Sequence, residues 1–155
     1  MGNRINLLIL LSLIVTGCAT FEPPPAKEEI SFFLARYNKV WETTLKVLEK
    51  QSLPIQSSNK DKGIIITKFA DYSVGEKAHR ELEEIAYRPD LPLGLYTHVH
   101  YSLSIQVIPM TEMSMQIKMS ATIEAYDHNV TRKWHVCVSK NVVEQKTLDQ
   151  IRAAL

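Results

Sequence analysis

The chain has little of several things that would point to a known chemistry. Its five glycines are scattered through 155 residues, so no glycine-rich loop is present to cradle a phosphate. No apolar run reaches the roughly 20 residues needed to span a bilayer. Neither charge sign is in excess: 18 Lys and Arg stand against 17 Asp and Glu. Nucleic acid and polybasic membrane binding both require a concentrated positive field, and this composition does not supply one. With 45% hydrophobic and 23% charged residues over this length, the chain has material for one globular core and no more.

What is present begins at the N-terminus. Arg4 precedes the apolar stretch Ile5-Asn6-Leu7-Leu8-Ile9-Leu10-Leu11-Ser12-Leu13-Ile14-Val15, which ends in Thr16-Gly17-Cys18. One positive charge, a short apolar run and small residues have the form of a secretory signal. Val15-Thr16-Gly17-Cys18 resembles a bacterial lipobox. The resemblance implies cleavage between Gly17 and Cys18, with diacylglycerol of the palmitate kind on the Cys18 sulfur; the alternative is an ordinary signal peptide that leaves Cys18 a thiol. Ala19 in place of an aspartate implies, in such lipoproteins, the outer membrane. Removing Arg4 leaves 17 basic against 17 acidic residues, a formally neutral mature chain. Lipidation of Cys18 would leave Cys137 without a partner, and a lone thiol in an oxidising compartment is expected to be buried.

Three divisions follow: a signal peptide over 1–17, a lipidated Pro-rich tether over 18–30, and a single α+β domain over 31–155. Pro23-Pro24-Pro25 followed by Lys27-Glu28-Glu29 is stiff, then charged. Polyproline geometry makes it a spacer of about 30 Å. Ser31-Phe32-Phe33-Leu34 reads as an edge strand or a segment tucked under the domain. Tyr37, Val40, Trp41, Thr44, Leu45 and Leu48 recur at helical spacing to about Gln51. Leu53–Ser58 and Ile64–Phe69, joined by Asn59-Lys60-Asp61-Lys62-Gly63, read as a hairpin with its first strand at a sheet edge after Pro54. Ser73 and Glu76 have the spacing of a capping box ahead of a short helix ending before Pro89; the charged stretch equally suits a solvated loop.

The strongest periodicity follows. Leu95, Thr97, Val99, Tyr101, Leu103, Ile105 and Val107 alternate with Tyr96, His98, His100, Ser102, Ser104 and Gln106. Met113, Met115, Ile117, Met119, Ala121, Ile123 and Ala125 alternate in the same way with polar residues that include Lys118, Ser120 and Thr122. Two long antiparallel strands, each with one buried and one wet face, are expected. Trp134–Val138 is a further short strand or an extended arm, and Asn141 with Glu144 starts a terminal helix carrying Leu148, Ile151 and Leu155.

The expected fold is α+β: an antiparallel sheet of four to five strands with the N- and C-terminal helices packed on one face. Tyr37-Asn38-Lys39-Val40-Trp41-Glu42, Leu53-Pro54-Ile55 and Asp61-Lys62-Gly63-Ile64-Ile65-Ile66-Thr67 together resemble the helix and hairpin of helix-grip domains in BamC-like outer-membrane lipoproteins. That likeness covers about the first half of the mature domain. Larger members carry two such domains, and this chain has room for one.

Catalytic candidates are few. His98 and His100, two apart on a strand, point the same way, but zinc needs three or four ligands and no third is evident. Histidines on a wet sheet face are the simpler reading. His135 and Cys137 could pair as base and nucleophile, but the sequence signals neither an orienting third group nor an oxyanion hole. No enzyme activity, metal or cofactor is therefore expected beyond the covalent lipid on Cys18. The expected role is a protein-interaction or scaffold module in envelope assembly or maintenance, anchored at the periplasmic side of the outer membrane. Its interaction face would be Tyr96, His98, His100, Ser102, Ser104, Lys118, Ser120 and Thr122. The partners would be the membrane and an envelope protein, with no nucleic acid. The alternative is a carrier of lipid or another apolar ligand between sheet and helices.

Overall fold

In the computed structural model, which describes residues 27–155, the two alternating stretches pair with each other along almost their whole length. Gly17, Cys18 and most of the tether lie outside the described residues. In chain order the elements are β1 (Glu29–Phe33), α1 (Tyr37–Lys50), β2 (Ile55–Asn59), β3 (Ile64–Thr67), β4 (Ala70–Val74), α2 (Ala78–Ile85), β5 (Ala86–Tyr87), β6 (Tyr96–Thr111), β7 (Ser114–Asp127), β8 (Trp134–Ser139) and α3 (Val142–Ala154).

The β6–β7 hairpin is the spine, and each of its outer edges is shared by two shorter strands. β3 and then β4 pair antiparallel with β6; β1 and then β8 pair antiparallel with β7. β2 extends the sheet beyond β3, and β5 extends it beyond β8. The expectation of four to five strands with two helices on one face is thus overturned by an eight-stranded sheet and three helices. β4 and β5, which pattern reading did not give, have 5 and 2 residues, too few to show a period of two; β1, with 5 residues, takes the edge-strand alternative left open for Ser31–Leu34 and begins two residues earlier. The sequence also disguised them. β1 starts inside the tether, β5 abuts a helix end, and β4 contains the Ser73 that reads as a helix cap. Ser73 is instead paired opposite Val99 beside a bulge, and α2 begins after Lys77 with no side-chain cap.

Where the edges change partners, both strands of the spine leave a backbone amide without a strand neighbour, at Leu103 and Ala121. These two residues face each other across the hairpin. The Leu103 amide donates to Thr67 Oγ1 at 2.8 Å, and the Ala121 amide donates to Glu144 Oε1 at 3.0 Å. Thr67 and Glu144 are both buried. Ser139 Oγ donates to the second Glu144 oxygen at 3.0 Å, so the buried carboxylate is satisfied on both sides. Two side chains thereby close the seams of the sheet.

The apolar row of the spine, from Val99 through Leu103, Ile105 and Val107 to Met115, Ile117, Met119 and Ile123, is buried. α1 packs on β6, β7 and α3, while α2 packs on β6, β4 and β5. α1 buries Val40, Trp41, Thr44 and Leu48, as its spacing predicts, and Val47 in addition, while Leu45 is only half-buried. It ends with Ser52 in the left-handed region (φ 58°), the Ser52 amide on the Glu49 carbonyl and the Leu53 amide on the Leu48 carbonyl. That is a Schellman closure with serine in the position glycine prefers. Gly63 has no substitute: its φ is +67°, and a Cβ there would lie 2.1 Å from the Val107 carbonyl oxygen. Met113, expected in the core, lies exposed beside the hairpin turn, whereas Met115 and Met119 are buried.

Candidate functional site

Alternation along β6 and β7 puts a second row of side chains on the face of the sheet away from the core. Ser102 stands opposite Thr122, Ser104 opposite Ser120, and Gln106 opposite Lys118. These hydroxyl-bearing and charged residues are exposed or half-buried. Toward the open end of the hairpin the row becomes aromatic. Register aligns Asp71, His100, Glu124 and Val136 across four strands, and Val74, His98, Tyr126 and Trp134 beside them.

His100 is the centre of this patch. Its ring stacks on Trp134 with centroids 3.9 Å apart and planes 3° from parallel, and Phe69 stacks against it at 4.2 Å. Its Nε2 lies 2.8 Å from Glu124 Oε2. His98 meets Trp134 edge-on at 5.9 Å, and its Nε2 stands 3.5 Å from Asp71 Oδ1. Tyr126 makes a second edge contact with Trp134 at 5.6 Å. Phe69 and Trp134 remain 44% and 43% exposed, an unusual outlay of aromatic surface on an uncovered sheet.

Trp134 reaches across the sheet because the preceding loop is fixed by Asp127. This carboxylate, fully buried at the end of β7, accepts the backbone amides of Leu95 (3.0 Å), Asn129 (3.2 Å), Val130 (3.0 Å) and Thr131, together with the Thr131 hydroxyl (2.9 Å). Burial alone would raise its pKa. The hydrogen bonds, led by the Thr131 amide, outweigh it and hold the carboxyl well below the usual aspartate range.

His98, His100, Ser102, Ser104, Lys118, Ser120 and Thr122 all lie on the outer row, while Tyr96 does not. The register shifts between Tyr96 and His98, so Tyr96 turns inward opposite Asp127 and is fully buried. The patch also contains residues that pattern reading did not single out: Phe69, Asp71, Glu124, Tyr126 and Trp134. Glu124 and Tyr126 were available from the alternation of β7. Phe69 reaches His100 from the link between β3 and β4, and Trp134 from β8, which only the tertiary arrangement reveals.

Among the described residues, no group of three or more His, Cys, Asp or Glu side chains is placed to hold a metal ion. His135 and Cys137 sit on the inner side of β8. Burial pushes the Cys137 thiol up to about 12, assisted by Glu124 and opposed by a backbone hydrogen bond at Ala125, so it is protonated at neutral pH. His135 is engaged with Thr131 Oγ1 at 2.6 Å. Elsewhere, an apolar groove of about 550 Å³ opens between the end of α1 and the start of β2, lined by Leu45, Glu49, Ser52, Leu53, Pro54 and Ile55. No described helix is long and apolar enough to cross a membrane.

No protein-family model matches the chain, and no curated protein matches it. Among solved structures, a crystal structure of a conserved protein from Geobacillus kaustophilus is similar at 10% identity, with a TM-score of 0.38, over 81% of this chain and 91% of that one. A likeness at this level carries no functional argument.

Proposed function

We propose that this protein is a non-enzymatic lipoprotein, anchored through lipid on Cys18 at the periplasmic side of the outer membrane. In this reading it serves as an interaction or scaffold module in envelope assembly or maintenance, and its partner is an envelope protein that docks on the outer face of the sheet. One observation carries the reading: the Phe69–His100–Trp134 stack lies on that face with both of its outer rings, Phe69 and Trp134, exposed. Exposed aromatics of low conformational entropy are the anchors from which protein interfaces draw most of their energy. The adjoining Ser102–Thr122 and Ser104–Ser120 pairs offer the polar rim such anchors require.

Two measurements test it. Cys18→Ala should shift the chain from the membrane fraction to the soluble one; a variant that stays membrane-bound removes the anchor. A photoreactive residue at Ser104 or Thr122 should give one discrete adduct with an envelope protein in intact cells, and the same residue at Lys39 on α1 should not.

A second reading is favoured by the groove at the end of α1, whose apolar lining suits an acyl chain or similar ligand. Native mass spectrometry of the unlipidated protein would reveal a copurifying apolar molecule if the groove is a carrier site. A ligand-free spectrum contradicts that role.

A further inference from the structure

The closed end of the β6–β7 hairpin gathers four protruding apolar side chains. Leu34, which follows β1, is 91% exposed; Phe32, Met110 and Met113 are 60%, 55% and 53% exposed. Register brings them to one end. Phe33 pairs with Met115 and Met115 with Pro109, so Leu34 follows beside the turn that holds Met110 and Met113. The β2–β3 turn reaches the same end, where the Val107 amide donates to the Gly63 carbonyl at 2.7 Å and Tyr37 donates to the Lys60 carbonyl.

Charge gathers there as well. The three segments that form this end, 34–39, 59–63 and 109–114, contain Arg36, Lys39, Lys60 and Lys62 against Asp61 and Glu112. All six are exposed. In a chain of formal net charge +1, this end therefore combines protruding apolar side chains with a local positive surplus, four cations against two anions, that overall composition does not reveal.

We propose that this end docks on an anionic phospholipid surface, with Leu34, Met110 and Met113 in the acyl–headgroup boundary and the lysines and arginine among the phosphates. Apolar side chains set beside cations are the recognised composition of an interfacial contact. The proposal rests on the Cys18 anchor, and the chain length is compatible with it. Ten residues separate Cys18 from Glu29, a reach of at most about 35 Å. Glu29 pairs with Met119, five residues from the start of β7 at Ser114, or about 17 Å along the strand. The tether is long enough to let the tip touch the bilayer that holds the lipid. Docking there would lift the aromatic patch at His98 and His100 on the order of 40 Å into the periplasm, since 13 residues of β6 separate His98 from Thr111.

The test uses the lipidated protein carrying Met113→Cys or, as reference, Thr122→Cys, labelled with an environment-sensitive fluorophore. Cys137 is buried and does not compete for label. The protein is reconstituted into vesicles of phosphatidylglycerol and phosphatidylethanolamine that contain a quencher lipid. Quenching of at least twofold at position 113, little at 122, and loss of the effect in phosphatidylcholine vesicles or with Lys60→Glu/Lys62→Glu would support docking. Protein that sediments with the vesicles but shows no quenching at 113, or equal quenching on anionic and zwitterionic lipid, overturns docking and leaves the anchor intact. Protein that fails to sediment removes the anchor and this proposal together. A blue shift at 113 without vesicles would identify a second copy of the chain as the occupant, also against it.

Discussion

Asp127 is the residue on which the patch depends, because its carboxylate organises the loop that delivers Trp134. Asp127→Ala leaves at least three backbone amides near a buried position without their acceptor, and each such loss costs about 1–3 kcal/mol. The variant should melt several degrees lower and lose the near-UV signature of a fixed Trp134. The pH dependence has a definite sign. The folded carboxyl is held below its ordinary value, so protonation favours the unfolded chain. The stabilisation is complete above about pH 4, near the ordinary aspartate pKa, and declines as pH falls further. Urea midpoints at pH 6 and pH 3 should differ, and Asp127→Asn should narrow that difference.

Cys137 behaves in the opposite sense. Its thiol is pushed up to about 12 in the folded chain, whereas an unfolded thiol ionises near 8.5. Its contribution is complete below about pH 8.5 and is lost as pH rises toward 12. At neutral pH an aromatic disulfide reagent should leave Cys137 untouched for hours in the native protein and modify it at once in 6 M guanidinium. Rapid native modification would place the thiol outside the core.

At the scale of elements, the sheet depends on two seams where short strands meet along the spine. Thr67→Val preserves shape but strands the Leu103 amide, and should cost about 1–3 kcal/mol, or roughly 2–10 °C in melting temperature for a chain of this size. Thr122→Val, on the outer face, should fall within about 0.5 kcal/mol of the parent. Ser52→Gly at the end of α1 should stabilise by about 1 kcal/mol, since the left-handed conformation taxes serine and not glycine. Thermal melts of the three variants separate these outcomes.

The seams also mark the limit of what the sequence could reveal. The spine was legible because thirteen alternating positions, Leu95 to Val107, leave no helical solution that keeps His98 out of the core. α1 was legible through the spacing of Val40, Trp41, Thr44 and Leu48. β4 and β5 are strands only because the edges of β6 and β8 accept them, a tertiary cause that no local pattern carries; for β1, open between edge strand and tucked segment, pairing with β7 decides. The same applies to the patch. His98 and His100 were visible as neighbours on one face, but Trp134 joins them across an intervening strand, and Tyr96 leaves them through a register shift.

On the scale of the whole molecule, the long hairpin separates two differently built ends. The closed end is apolar and basic, adjacent to the strand into which the tether feeds. The open end carries the aromatic and histidine stack on an uncovered face. A single domain with this polarity is what the proposed scaffold role requires, one end held at the bilayer and the other presented to a partner.

The most direct measurement is photo-crosslinking from Thr122 in intact cells, with and without Trp134→Ala. One envelope-protein adduct is expected from the parent chain, with a loss of at least tenfold in its yield when the tryptophan is removed, at unchanged protein level and unchanged membrane fractionation. An adduct of equal yield in the Trp134→Ala chain, or no adduct from either, would contradict the assignment of the outer face as the interaction surface.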